Sequence, residues 1–297
     1  MIYDSIIYHN PCSDGIASAW VVKHFHTSAE LIPCYAGQNP QVDIEIFRNK
    51  NIIYVDLCPN NDYLTQLLSI VKHITILDHH ITAYNSIDKE LLKATNINYL
   101  FDNNMSGCMI TWQYFSQDRI PWFLDYIGDR DLWLWKLPFS REITTALYDD
   151  EHVTMKNLSK LFDTPYTQEV FQRFVQRGTI LFEIKEKQKK TCMKTALHCK
   201  YKDYNIWLYT STVDIISDVG NALMDKTMKD GIKPDFTVNW RYNVVLHEYI
   251  LSMRSLSHAV DVSDICKSLG GGGHRNAAGC TLPGSTVLRD FFIPQIN

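Results

Sequence analysis

Short runs of β-branched and aliphatic residues alternate with longer amphipathic segments through the first half of the chain. The runs with the length and composition of buried strands are 6–8, 31–35, 52–55 and 74–77. The segments with helical character are 16–25, 63–71, 107–115 and 122–127. Strands that alternate with helices in this way predict an α/β domain with a doubly wound, mainly parallel sheet.

The pattern changes near residue 149, where a polar, helical stretch of mixed charge begins and continues to residue 195. Beyond it, a smaller α/β domain with a mixed sheet is predicted. Its expected elements are a strand at 205–209, a helix at 214–228, strands at 236–241 and 244–253 joined by a turn at Tyr242–Asn243, and a helix at 261–268 capped by Ser263. We therefore expect domains at 1–148 and 196–297, a helical linker at 149–195, and an active site in the cleft between the domains.

Acidic and imidazole side chains follow three of the predicted N-terminal strands. Asp78-His79-His80 comes directly after the strand at 74–77, Asp56 follows the strand at 52–55, and a loop from His9 to Gly15 leaves the first strand. The carboxyl ends of parallel strands meet at one edge of a sheet, where ligands bind. Carboxylates and neutral imidazoles at that edge suit a divalent metal ion.

Two acids, Asp129 and Asp131, lie at the end of the helix that begins near residue 122. Either of them can supply a further carboxylate; the alternative is a solvated helix end. The apolar residues that follow alternate around Trp133 and Trp135, which we interpret as core rather than as a surface for stacking nucleobases.

Four consecutive glycines at 270–273 stand directly before His274 and Arg275. Because an inert linker has no need of these two side chains, we interpret the run as an anion-binding loop at the start of a helix rich in small residues.

The amino-acid composition limits the classes of function that are expected for this chain. A net charge of −4 over 297 residues argues against binding of long duplex nucleic acid and leaves small anionic substrates open. Eight cysteines without any C-x-x-C pair predict reduced thiols in a cytoplasmic protein rather than a zinc ribbon. No apolar run approaches membrane-spanning length, so no membrane partner is expected.

Taken in order, these motifs resemble the DHH phosphoesterase family in the form that carries the DHH-associated C-terminal domain. Asp78-His79-His80 and Gly270–Gly279 carry most of the resemblance, and Met253-Arg254-Ser255 is similar to the arginine-bearing strand end of that family. The resemblance spans nearly the whole chain. The family that the chain resembles includes nano-RNases, cyclic-dinucleotide phosphodiesterases and exopolyphosphatases. The resemblance is also compatible with a homodimer.

The resemblance implies a two-metal centre, usually of Mn²⁺, with Mg²⁺, Co²⁺ and Zn²⁺ as alternatives. Asp56 would bridge the two ions and Asp78 would orient an imidazole. The implied metal ligands are His9, Cys12, Asp14, Asp56, His79 and Asp129, with Asp131 as the alternative to Asp129. The implied catalytic and substrate-binding residues are His80, Asp78, Arg254, Ser255, Gly271, Gly272, Gly273, His274 and Arg275.

One departure from the family concerns the first motif, which is usually H-x-x-x-D-x-D. Here His9 is followed by Cys12-x-Asp14, so a cysteine replaces one acid and the loop is a residue shorter. A Cys12 thiolate would suit a softer metal; alternatively, one metal site is weak or completed by water.

The resemblance and the acidic net charge together predict a metal-dependent phosphodiesterase that acts on short oligonucleotides or on linear or cyclic dinucleotides. One alternative is a phosphatase for polyphosphate or pyrophosphate. The other is a nucleotide-binding protein with a degenerate metal site, which the altered first motif would explain.

Overall fold

The computed structural model describes residues 1–35, 37–149, 153–228, 231–256 and 258–295, with the backbone but not the side chain of His274. The chain divides into two units, Met1–Phe182 and Glu183–Asn297.

A parallel sheet forms the centre of the first unit, as predicted. In the described part of this unit the strands are β1 Ser5–His9, β2 Glu30–Cys34, β3 Asn51–Val55, β4 His73–Asp78 and β5 Ile97–Phe101. Their order is β2-β1-β3-β4-β5, and each neighbouring pair is parallel. Strand β5 was not predicted, because in this edge strand only Ile97 is buried and Leu100 faces outwards.

Helices cover both faces of this sheet, which makes it doubly wound. The helices described up to residue 195 are α1 Ser13–Phe25, α2 Asn61–Ile70, α3 Ile81–Ser86, α4 Gly107–Phe115, α5 Trp122–Asp131, α6 Ser140–Tyr148, α7 Met155–Asp163 and α8 Gln168–Thr195, the last of which extends beyond the first unit. Alternate side chains of β1 enter two different cores: Ile6 packs with residues of α1 and α4, and Ile7 packs with residues of α2. Among the described residues, no helix is both long enough and apolar enough to cross a membrane.

A mixed sheet forms the second unit, also as predicted. Its strands are β6 Leu197–Tyr201, β7 Tyr204–Tyr209, β8 Phe236–Asn243, β9 Glu248–Arg254, β10 Gly272–His274, β11 Ala277–Pro283 and β12 Ile293–Pro294. They are ordered β10-β11-β9-β8-β7-β6-β12, with β7 and β8 parallel and the other pairs antiparallel. The helices here are α9 Ile216–Asp225, α10 Val262–Ser268 and α11 Leu288–Phe291.

The predictions of the β8–β9 turn and of the cap of α10 are wrong. The turn between β8 and β9 is formed by residues 244–247, not by Tyr242–Asn243, although Val244, Val245 and Leu246 are apolar. These side chains are 64–86% exposed, so their hydrophobicity does not report burial in a strand. Helix α10 is capped by Asp261, whose carboxylate accepts the Ser263 N–H, rather than by Ser263.

Candidate metal centre

The strand order of the first sheet reverses between β1 and β3. From β1 the chain passes to β2 on one side and then returns to β3 on the other side. Such a reversal opens a crevice beyond the carboxyl ends of the two strands. His9 is the last residue of β1, and Asp56 directly follows β3. The topology therefore places two of the predicted ligands at the crevice.

Asp56 lies between two imidazoles. Its Oδ2 is 3.1 Å from His9 Nδ1, and its Oδ1 is 3.1 Å from His79 Nε2. The Asp56 backbone has a φ of 60°, in the left-handed region that Asp and Asn occupy more readily than other residues with a side chain. The buried carboxylate thus has an oxygen directed to each of two histidines.

The side chains at this edge form two groups, each of the size that holds one cation. Within each group the donor atoms lie within 4.8 Å of one another. The first group comprises His9, Asp56 and His80, and the second comprises Asp14, His79 and Asp131. Since Asp56 Oδ1 also contacts His79, Asp56 connects the two groups.

Negative charge is concentrated in this cluster. In the described part of the chain, the ion pairs of Asp14, Asp56, Asp78 and Asp131 are all with histidines and none is with Lys or Arg. Burial and the neighbouring Asp14 raise the pKa of the Asp131 carboxyl to about 8. Burial and the neighbouring Asp56 likewise raise the pKa of Asp14. Besides burial, both pKa shifts reflect repulsion between neighbouring carboxylates. Cations bound among these carboxylates would reduce that repulsion.

Asp56 itself behaves differently. Burial alone would raise its pKa, but hydrogen bonds from His79 and His9 hold the pKa below its usual range, so this carboxylate stays ionised. Its Oδ1 is buried, and the ion pairs that it forms among the described residues are with the imidazoles of His79 and His80 alone. A buried anionic oxygen in that state is costly unless a cation contacts it. The donor set of carboxylate oxygens and imidazoles therefore fits divalent metal ions.

Asp78 orients the third histidine. Its Oδ1 accepts the backbone N–H of His79 at 2.8 Å and lies 2.6 Å from His80 Nδ1. A neutral His80 that donates its Nδ1–H to Asp78 carries its lone pair on Nε2. This contact is the one that the predicted orienting role of Asp78 requires.

The prediction of Asp129 as a ligand needs correction. The Asp129 carboxylate is buried, and it accepts the backbone N–H groups of Lys136 and Leu137 and the hydroxyl of Ser140. Through these contacts, Asp129 stabilises the segment after α5. Asp131 has the position predicted for Asp129, with its Oδ2 3.5 Å from His79 Nε2. Both residues belong to α5, and side chains two positions apart in a helix point about 200° apart, so Asp129 and Asp131 face different surroundings.

Cys12 lies at the N-cap of α1, and among the described residues it belongs to neither group. Burial, and after it the neighbouring carboxylates Asp56 and Asp131, raise the pKa of the Cys12 thiol. Helix α1 begins at Ser13, so Asp14 belongs to its first turn rather than to a loop. A role for Cys12 as a ligand stays a prediction.

Gly107, at the start of α4, is a site residue that the sequence analysis did not find. Its N–H and that of Cys108 donate to the two oxygens of Asp14, at 2.6 and 3.0 Å. A Cβ at position 107 would lie 2.8 Å from Asp56 Cβ and 3.0 Å from Asp14 Oδ2. The only sequence signal is the Ser-Gly helix start, and the contact with Asp14 joins residues 93 positions apart.

The substitution Gly107→Ala should lower metal affinity. The added methyl group would push Asp56 and Asp14 apart, because both lie within contact distance of it. We expect about a 10- to 100-fold rise in the dissociation constant for Mn²⁺, the usual effect of disturbing residues that support ligands. Titration calorimetry measures it. Ser106→Ala, at the neighbouring position, is the control; equal affinity in G107A and the parent protein would contradict the prediction.

In the second unit, Arg254 at the end of β9 is held by neutral groups. Its Nε and Nη2 donate to Ser217 Oγ at 3.1 Å, and its Nη1 donates to the Met253 carbonyl at 2.8 Å. Burial lowers the pKa of this guanidinium, and no carboxylate in the described residues forms an ion pair with it. A half-buried guanidinium that forms no ion pair with a carboxylate among the described residues is compatible with the predicted binding of a phosphate.

The helix predicted after the glycine run is absent from the structure, which has a β-hairpin there: β10 and β11 pair antiparallel across Gly272–Gly279. The argument from a helix N-terminus is therefore wrong for this loop. Close backbone contact explains two of the glycines, since a Cβ at Gly271 would lie 2.2 Å from the Gly279 carbonyl oxygen and one at Gly273 2.6 Å from Ala278 Cα. The loop's role in substrate binding stays a prediction.

The remaining predicted substrate residues lie near this hairpin. Arg275 donates to Asp261 and to the Ala259 carbonyl, at 3.3 and 3.0 Å, and the buried Ser255 donates to the Arg275 carbonyl. The side chain of His274 lies outside the described residues. The predicted cleft between domains also stays a prediction.

No protein-family model matches the chain. The uncharacterized protein R106 of Acanthamoeba polyphaga mimivirus is 33% identical over 301 residues, and the match covers 95% of this chain and 68% of R106. This chain belongs to the family of R106. The DHH resemblance implies a parallel sheet in one domain and a mixed sheet in a second domain. The structure of this relative of R106 has both sheets, which confirms that architecture.

Two solved structures are also similar to this member of the R106 family. An exopolyphosphatase-related protein from Bacteroides fragilis has a TM-score of 0.49 at 12% identity, over 96% of this chain and 88% of its own. The pGpG-specific phosphodiesterase PggH from Vibrio cholerae has a TM-score of 0.46 at 13% identity, over 97% and 95%.

Proposed function

We propose that this protein is a metal-dependent phosphoesterase of the DHH type that hydrolyses phosphodiester bonds in short oligonucleotides or dinucleotides. The observation that carries the proposal is the pair of cation-sized groups connected by Asp56. Two such groups side by side suit hydrolysis of a phosphate ester, which places charge on both the attacking and the leaving oxygen.

The residues that would hold two metal ions are His9, Asp56 and His80 for one ion, and Asp14, Asp56, His79 and Asp131 for the other. When bound, divalent ions lower the pKa of a coordinated water and offset the charge of the phosphate. The oxygen-rich donor set with imidazoles favours Mn²⁺, with Mg²⁺, Co²⁺ and Zn²⁺ as alternatives.

The protein's own groups position these ligands. Asp78 fixes the ring of His80 through Nδ1, so a neutral His80 would offer the lone pair of Nε2 to a metal ion and a protonated His80 would donate Nε2–H to the substrate phosphate. The N–H groups of Gly107 and Cys108 hold Asp14. Arg254, which lacks a carboxylate partner in the described residues, would bind a phosphate of the substrate.

A substrate panel tests the proposal. Purified protein is titrated with Mn²⁺ and incubated with linear dinucleotides, cyclic dinucleotides, polyphosphate and pyrophosphate. We expect mononucleotides from one class of dinucleotide, at a rate that follows metal occupancy. Phosphate release from polyphosphate alone would instead support the phosphatase alternative. Tight nucleotide binding without turnover under any metal would support a binding protein with a degenerate site.

A further inference from the structure

The segment from Leu132 to Phe139, which we call the tryptophan loop, has an unusual backbone. Trp133, Trp135 and Phe139 have φ values of 56°, 55° and 53°, in the left-handed region. Bulky aromatic residues rarely occupy this region, because Cβ approaches the backbone. Such conformations persist only where the surrounding structure imposes them, and they concentrate at functional sites.

Asp129 imposes this conformation. Its carboxylate accepts the N–H groups of Lys136 and Leu137, and its carbonyl accepts the N–H of Leu134 at 2.9 Å. The Ser140 hydroxyl, directly after the loop, donates to the same carboxylate. A buried acid thus fastens the middle and the end of the loop, so the loop's side chains are held in fixed positions.

The result of this arrangement is exposure of an aromatic surface. The Trp133 side chain is 38% exposed. Its ring meets Trp135 edge-to-face at 4.9 Å between centroids, and the Arg141 guanidinium lies 4.2 Å from the Trp135 ring centroid. Trp135 thus contacts the ring of Trp133, and Arg141 in turn lies over the ring of Trp135. A core residue is buried, whereas the strained backbone keeps Trp133 partly exposed to solvent. The interpretation of Trp133 as core is therefore wrong.

The loop is also close to the metal centre. Trp133 is two residues after Asp131, so their Cα atoms are at most about 7 Å apart. The Asp131 carboxylate lies 3.5 Å from His79 within the second group of ligands. In a nucleotide, one ribose separates the phosphate from the base. A phosphate held by cations at Asp131 and His79 would therefore place its base in the neighbourhood of residue 133.

We propose that Trp133 stacks on the nucleobase next to the scissile phosphate and so makes this centre specific for nucleotides rather than for polyphosphate. This inference rests on the proposed function. Stacking on an aromatic ring is tolerant of base identity, since each base offers a π-face. We therefore expect Trp133 to distinguish substrates with a base from substrates without one, and not one base from another.

Binding measurements test the inference independently of turnover. The Mn²⁺-loaded protein is titrated by calorimetry with adenosine 5′-monophosphate and with ribose 5-phosphate, which lacks the base. We expect the parent protein to prefer the nucleotide. The change Trp133→Ala should weaken nucleotide binding by about 5- to 100-fold, the effect of losing one stacked base, and leave ribose 5-phosphate unaffected. Trp133→Phe should restore part of the preference.

Leu134→Ala is the matched control, because Leu134 is an adjacent apolar residue that is 44% exposed. It should leave both affinities unchanged, and all variants should keep the parent's thermal midpoint and Mn²⁺ affinity. Equal affinity of the parent for the two ligands, or an equal loss on both ligands in W133A, would overturn the inference. Absence of hydrolysis in the substrate panel bears on the proposed function alone, since this experiment measures binding.

Discussion

Replacing Asp56 by Asn should abolish hydrolysis while preserving the fold. Asn occupies the left-handed backbone region about as readily as Asp, so the φ of 60° is retained, but the amide lacks the charge that connects the two groups of ligands. Because bound metal contributes several kcal/mol to stabilising the transition state, we expect kcat to fall by about 10³-fold or more. Steady-state kinetics and counting of bound Mn²⁺ measure the two effects.

The control for D56N is Asp62→Asn, an acid in the first turn of α2 that belongs to neither group of ligands. It should keep full activity and metal content. If D56N retained both the parent's metal stoichiometry and more than a tenth of its kcat, Asp56 would not be the residue that connects two ions.

The pair Asp131→Asn and Asp129→Asn should separate a ligand from a structural acid two positions away. D131N replaces a carboxylate by a neutral amide, so metal binding should weaken; above the Asp131 pKa of about 8 it also removes repulsion with Asp14, so the metal-free protein should keep or raise its Tm there. D129N places an amide where three donors converge, so it should lower the free energy of unfolding by about 1 to 3 kcal/mol.

Thermal unfolding without metal and calorimetric Mn²⁺ titration, applied to both variants, measure the two effects. The expected outcome is a crossed one, with stability lost in D129N and metal affinity lost in D131N. The opposite crossing would return Asp129 to the ligand set and make Asp131 a solvated helix end.

The sequence predicted the features that depend on local pattern. Strands β1, β3 and β4 are short runs of buried residues, and His9, Asp56 and His79 follow or end such runs. Once the sheet was expected to be parallel, their convergence at its carboxyl edge followed.

The features that were missed depend on contacts between distant parts of the chain or on the precise end of an element. Gly107 reaches Asp14 across 93 positions, which no local pattern reports. The choice between Asp129 and Asp131 depends on which side chain turns back to the backbone of the following loop. The small residues after the glycine run predict a helix start there, whereas pairing between β10 and β11 determines the structure of the run.

The position of Asp56 has a magnetic consequence. Since one carboxylate has an oxygen towards each group of ligands, two bound Mn²⁺ ions would share a short path through which their unpaired electrons could interact. With one equivalent of manganese, the electron paramagnetic resonance spectrum should be that of an isolated ion. A second equivalent should broaden or silence that signal instead of doubling it.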